Sequence, residues 1–260
     1  MSSYLARMSY KNDADEEDSC CRVALTCIFD VATCYSSLMD MKVGRDEIIA
    51  AFQFRHAAKR FDPDRKIPKA EFEIILEAAR LSPSSFGLEP WHILVADENL
   101  RGDLVDLCSG AQGQLPTASH FLIFTAKTSA AMMPGQPYAK HILMSVRGMS
   151  DAEAEDSLTW YEKWLRNSYG RLDAPQLLHE WAARQAYIAM ANMMTVAAMR
   201  GIDSCAIEGF NVEKVTQLLA GQKLIDPDQD LPVVMLALGY RIDPPKPKTR
   251  RHMNDIVKEV

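Results

Sequence analysis

No Cys-x-x-Cys occurs among the six cysteines of this 260-residue chain. A zinc ribbon and a thioredoxin-type redox pair therefore both lack their ligand spacing, and no metal is expected. Four of the six, Cys20, Cys21, Cys27 and Cys34, crowd into the first segment and read as reduced bystanders. No apolar run approaches the roughly 20 residues of a membrane span, since the richest helical stretch is broken by Arg184, Gln185 and Asn192. Nor is there a long Lys/Arg block, and the formal net charge is -6. Nucleic acid is not the expected partner, because its binders present a basic face. The acidic run Asp13 to Asp18 stands where a secretion signal needs positive charge, so a cytoplasmic location is expected.

Several catalytic patterns are missing as well. His179-Glu180 opens like a zincin helix, but Ala183 occupies the place of the second histidine ligand. Asp226 to Asp230 imitates a calcium loop, yet it lacks the glycine at the sixth position and places Ala237 where the bidentate glutamate belongs. Gly110-Ala111-Gln112-Gly113 does not have dinucleotide-fingerprint spacing, and there is neither a nucleophile elbow nor a Walker loop.

Length and an apolar content near half suit one domain with a full core. A composition shift near Lys42 to Arg45 divides a polar, acidic, Cys-rich leader (1–44), expected to be poorly ordered, from the body (45–260). The leader reads either as a translation artefact upstream of a start at Met39 or Met41, or as a regulatory or targeting arm. In the body, acids at Asp46 and Glu47 open a helix. Ala70 to Leu81 aligns Phe72, Ile75, Leu76 and Ala79 on one helical face, and Ser82-Pro83 ends it. Strands are expected at His92 to Ala96, His120 to Thr125, Asp203 to Ile207 and Leu231 to Tyr240, with Asp97 capping a helix that runs to Cys108. Tyr138 to Arg171 is less regular and aromatic, as a lid over a pocket would be, although helix packing explains its rings equally well. The helix Gln176 to Arg200 is apolar nearly all round in its second half, so it has to be buried on more than one side, which favours a subunit interface.

One constellation remains. Arg55-His56-x-x-Lys59-x-Phe61-Asp62 is followed by Ser82-Pro83-Ser84-Ser85 with Pro90-Trp91-His92, then Ser119-His120, Ile207-Glu208-Gly209-Phe210 and Lys248-x-Arg250. Taken singly, these are solvated charges, a helix-ending turn and a strand-to-helix loop. A bound phosphate, however, needs charge-assisted donors, and a guanidinium grips two of its oxygens at once. In order and spacing, from Arg45 to Val260, the set resembles the FMN-dependent nitroreductase family.

The resemblance implies an α+β fold, with a mostly antiparallel central sheet flanked by helices in an intertwined homodimer that holds FMN at each interface. It implies that Arg55, Lys248 and Arg250 hold the phosphate, with His56 and Ala57 beside it, and that Lys59 lies near the pyrimidine edge and tunes the flavin. By the same likeness Pro83, Ser84 and Ser85 line the ring and ribityl chain, Ile207, Glu208 and Gly209 present backbone to the flavin centre, and Gln112 and Gln114 offer polar contacts to the pyrimidine side. No side chain is expected to act as acid or base, since the cofactor carries the chemistry. The implied activity is NAD(P)H-dependent reduction of a small acceptor, a nitroaromatic, quinone or other conjugated molecule, with NADH or NADPH as hydride donor in a ping-pong scheme. An oxygen-using or flavin-consuming relative, and a non-catalytic flavin-binding protein, are the alternatives. The chain departs from the family pattern at Ala57, at Phe86-Gly87 and at Glu89, and the last three alter the rim of the pocket.

Overall fold

The structure is a computed structural model that describes residues 42–169 and 176–260. The leader, its four cysteines, Met39, Met41 and the end of the expected lid at Arg171 lie outside the described residues. Arg45–Val260 forms one compact unit.

A four-stranded sheet, wholly antiparallel and ordered β1-β2-β4-β3, organises that unit. Its strands are β1 (Trp91–Val95), β2 (His120–Lys127), β3 (Asp203–Ile207) and β4 (Asp230–Gly239). The two central strands are apolar almost throughout because both faces are covered, and the alternation of side chains assigns each residue to one of them. Phe121 and Ile123 of β2 join Met235 and Ala237 of β4 on one face, against α3 (Glu98–Leu104) and α8 (Val212–Gly221). Leu122 and Phe124 join Val234, Leu236 and Leu238 on the other, against α2 (Lys69–Arg80) and α7 (Gln176–Met199). Pro232 has no N–H for the ladder, and the β2–β4 register shifts beside its partner Thr125, as a proline inside a central strand requires.

The expected elements are present with ends moved by a residue or two, apart from the helix after Asp97. The Asp97 carboxylate does cap α3, accepting from the Leu100 N–H at 2.8 Å, but α3 stops at Leu104 and short 3-10 turns carry the chain to Ala111. The aromatic segment is more regular than expected. After α4 (Ser129–Met132), it holds α5 (Pro137–His141) and the thirteen-residue α6 (Asp151–Lys163), which a capping box between Ser150 and Glu153 starts. Its rings form a third core: Trp164 stacks on Tyr169 with centroids 4.6 Å apart and meets Phe86 at 5.1 Å.

Helix α7 buries most of its circumference in the protomer. Ile188, Ala191, Thr195 and Met199, spaced three to four residues apart, form one exposed or half-exposed stripe. A second apolar group is exposed on α1 (Arg45–Phe54), where Ile49 is 51% and Phe52 46% accessible.

Candidate functional site: a cation cluster at the sheet edge

The chain leaving α1 runs beside edge strand β3, with a parallel bridge between Ala57 and Ser204. The chain leaving β4 returns across it. Arg241 fixes that return: its backbone N–H donates to Asp203 Oδ2 at 3.0 Å, and its guanidinium donates to Phe54 O at 3.0 Å and lies over the Phe54 ring. His56 then spans the two segments, Nδ1 on Phe54 O at 2.8 Å and Nε2 on Lys246 O at 3.1 Å, while Lys248 Nζ donates to Arg55 O. These bonds gather Arg55, His56, Ala57, Lys248 and Arg250 around a cavity of about 410 Å³, which Met194 of α7 also lines.

Electrostatically this cavity is incomplete. Its own burial pushes the Lys248 ammonium below its ordinary value, and the nearby Arg250, Arg55 and Arg241 push it further. Among the described residues no carboxylate pairs with Arg55, Lys248 or Arg250, and Arg55 Nε is buried with no hydrogen-bond partner. An orphaned guanidinium donor beside mutually repelling cations is the donor set that a phosphate would satisfy.

The remaining residues of the predicted site lie in three other places. Pro83, Ser84 and Ser85 follow α2. The Ser85 N–H donates to Gln185 Oε1 at 3.0 Å, and Ser84 Oγ accepts from the Glu89 N–H at 2.9 Å. This second bond closes a tight loop in which Phe86, Gly87 and Glu89 all have positive φ, at 59°, 62° and 46°. Gln185 and Met194 are nine residues apart on α7, which is about 13.5 Å along the axis and about 180° around it. Within one protomer the serine loop and the cation cavity therefore sit on opposite sides of α7.

Ile207, Glu208 and Gly209 leave the end of β3. Glu208 Oε1 accepts from the Tyr187 hydroxyl at 2.5 Å, and that hydroxyl is pushed up by its burial and then by Glu208. Gly209 packs backbone to backbone on Gly110, whose N–H donates to Gly209 O at 2.7 Å. A Cβ on Gly209 would lie 2.8 Å from Gly110 Cα, so within the protomer it is Gly110 that requires a glycine at this position. Lys59 is exposed and apart from the cation cavity. Gln112 Nε2 donates to Val105 O and Cys108 O at 2.7 and 3.0 Å. Gln114 is buried with its amide directed at Ala58 O and Cys205 Sγ, so both amide groups serve the protein's own backbone turns and core.

Sequence reasoning missed Arg241, Gln185 and Tyr187. Arg241 had one signal, a cation directly after the last central strand. The other two are hidden in the apolar run of α7.

An antiparallel sheet between helical layers, with a cation cluster where the first helix and the last strand meet, defines an α+β protein whose sheet edge carries the donor set that a phosphate would satisfy. The chain belongs to the nitroreductase family, whose model matches residues 53–240. It is 42% identical over 217 residues to YfkO of Bacillus subtilis, a candidate NAD(P)H nitroreductase, covering 83% of this chain and 98% of that one. A candidate NAD(P)H nitroreductase of Staphylococcus haemolyticus is 40% identical, over 82% of this chain and 97% of its own length. Among solved structures, a candidate NAD(P)H:FMN oxidoreductase of Staphylococcus epidermidis superposes with TM-score 0.67 at 20% identity, covering 85% of this chain and 99% of that one. A candidate nitroreductase of Exiguobacterium sibiricum, solved in complex with FMN, gives 0.63 at 23% identity over 85% and 99%. No helix among the described residues is long and apolar enough to cross a membrane.

Proposed function

We propose that this protein is an FMN-dependent NAD(P)H oxidoreductase that reduces nitroaromatics, quinones or related conjugated acceptors in a ping-pong cycle. The observation that carries the reading is the cavity lined by Arg55, Lys248 and Arg250, with its orphaned guanidinium donor and no acid among the described residues that line it. Bound FMN supplies a ring that takes a hydride from NADH or NADPH and returns it to the acceptor.

The chain's own residues bind and orient. Arg55, Lys248 and Arg250 hold the phosphate in charge-assisted bonds of about 1.5–3 kcal/mol each. His56 keeps the tail strapped over the α1 exit, and Ala57 leaves room beside the phosphate. Pro83, Ser84 and Ser85 offer a small, flat wall to the ring. Ile207, Glu208 and Gly209 present backbone to its centre, with the Glu208 side chain held by Tyr187. Lys59 places a fixed positive charge near the pyrimidine edge, which favours the electron-rich reduced state. Gln112 holds the turn after α3 and Gln114 the Ala58 backbone, each from within rather than by direct contact with the ring.

Because α7 separates the serine loop from the cation cavity, one flavin reaches both only if a second copy supplies one of them. The reading therefore includes a homodimer, supported by the uncovered stripes on α7 and α1. It also includes a reducing, cytoplasmic setting, in keeping with the free thiols of Cys108 and Cys205.

Purified protein titrated with FMN under nitrogen tests the proposal. The expected result is a yellow dimer that NADH or NADPH bleaches and a nitroaromatic recolours. Recolouring by oxygen alone would instead indicate an oxidase-type relative, and FMN uptake without bleaching a non-catalytic flavin binder.

A further inference from the structure

A second cavity, of about 680 Å³, opens between the left-handed turn Phe86–Glu89 and helix α6. It is separate from the cation cavity and shares no lining residue with it. Its size is that of a site for a small organic ligand. Phe86 and Tyr161 line its inner part, their rings 5.4 Å apart edge to face. Trp160 lines it as well, yet is 66% exposed and has no ring partner among the described residues. An indole left unstacked on the wall of a cavity, beside the apolar rings of Phe86 and Tyr161, is a platform for a flat ring.

Three charged side chains line the same cavity: Arg147, Glu89 and Asp156. Arg147 donates from Nη1 to Phe86 O at 3.0 Å and lies along Gly87, so its position is set by the turn. None of the three has an ion-pair partner among the described residues. Two carboxylates against one guanidinium leave one net negative charge on the lining, and Arg80, which acts on Glu89 through space, is itself paired with Glu77. The rest of α6 does not reverse that sign, since Asp151, Glu153 and Glu155 also lie on it and Lys140 pairs with two of them.

We propose that this cavity is the pocket for the electron acceptor, and that it favours flat aromatic acceptors that are neutral or positively charged over anionic ones. The inference rests on the flavin reading above, because Ser84 and Ser85, assigned there to the ring, lead directly into the turn that lines the cavity. Trp160 stacks on the acceptor, while Glu89 and Asp156 set the preference for charge.

Saturable quenching of tryptophan emission in the full chain, before and after FMN loading, tests this with 4-nitrobenzylamine, nitrobenzene and 4-nitrobenzoate at pH 7. The cation is expected to bind about five-fold or more tightly than the anion, with the neutral ring between them. Asp156→Asn, at an exposed position, should narrow that ratio by about two- to three-fold. Trp160→Phe should remove most of the saturable quench with the circular dichroism unchanged. Equal or reversed affinities, or an undiminished quench in Trp160→Phe, overturn the inference. Failure of the flavin reading is distinguishable: protein that takes up no FMN overturns the acceptor role whatever the charge order, whereas FMN uptake without the order overturns only the charge-selective pocket.

Discussion

The contact between Gly110 and Gly209 ties the end of β3 to the turn after α3, and Gly209→Ala probes it. The added methyl carbon would meet Gly110 Cα at 2.8 Å and Gly110 N at 3.0 Å, both backbone atoms that no rotamer change can move aside. Relaxed carbon pairs sit about 3.5–4.0 Å apart, so the two chains have to separate by about 0.7 Å or more. Separation on that scale weakens the Gly110 N–H to Gly209 O bond, now 2.7 Å. Overpacking costs about 1–3 kcal/mol and the lost bond about 1 kcal/mol more, for about 2–4 kcal/mol in all. For a chain of this length that lowers the melting temperature by roughly 5–15 °C, readable by calorimetry with the cofactor left out of both samples. A variant that melts within 1 °C of the parent, with unchanged cooperativity, would refute the packing argument.

Three further outcomes follow from other parts of the molecule. Burial alone would raise the Asp230 carboxyl, but hydrogen bonds from His92 and Lys127 outweigh it and hold the group below its ordinary value. The stability this contributes is present above the unfolded carboxyl value of about 3.9 and is lost as pH falls through the lower folded value. Asp230→Asn should therefore flatten the acid limb of urea midpoints below about pH 4, and should cost about 3–5 kcal/mol at pH 7 by leaving the buried Lys127 unpaired; an acid limb identical to the parent's would be the contrary result. Phe124→Ala, in the core between the sheet, α2 and α7, should cost about 3–5 kcal/mol by urea unfolding, and a loss under about 1 kcal/mol would mean the site collapses freely. Lys59→Ala should lower the two-electron midpoint of bound flavin by on the order of 20–40 mV, while an unmoved midpoint would place the ammonium away from the ring.

Much of the scaffold was legible because its physics is local. Short apolar runs located the four strands, the 3.6-residue period located α2, and a long run apolar nearly all round located α7. Asp97 announced the start of α3, but nothing nearby announced its end, because the turns to Ala111 are shaped by the packing of Gly110 on Gly209. The α6 capping box, Ser150-x-x-Glu153, was readable and was overshadowed by the aromatics that follow it. Arg55, His56, Lys248 and Arg250 were legible as a set, whereas their convergence depends on Arg241 and His56 strapping two distant segments together. Gln185 and Tyr187 were not legible: each is one polar group in an apolar helix, and its purpose is fixed by a partner 100 or 21 residues away. Gln112 and Gln114 read as polar contacts to the ring because sequence does not reveal that the carbonyls of Val105, Cys108 and Ala58 take their amide N–H groups.

In the proposed function, the cavity between the α1 exit and the C-terminal tail grips the phosphate of FMN. Equilibrium titration of FMN into the parent and into Arg250→Ala, followed by quenching of flavin fluorescence, tests it most directly. Loss of one charge-assisted contact of about 1.5–3 kcal/mol predicts roughly 10- to 100-fold weaker FMN binding in the variant, with riboflavin, which lacks the phosphate, binding both proteins equally poorly. Equal FMN affinity in the two proteins, or riboflavin held as tightly as FMN, would contradict the account.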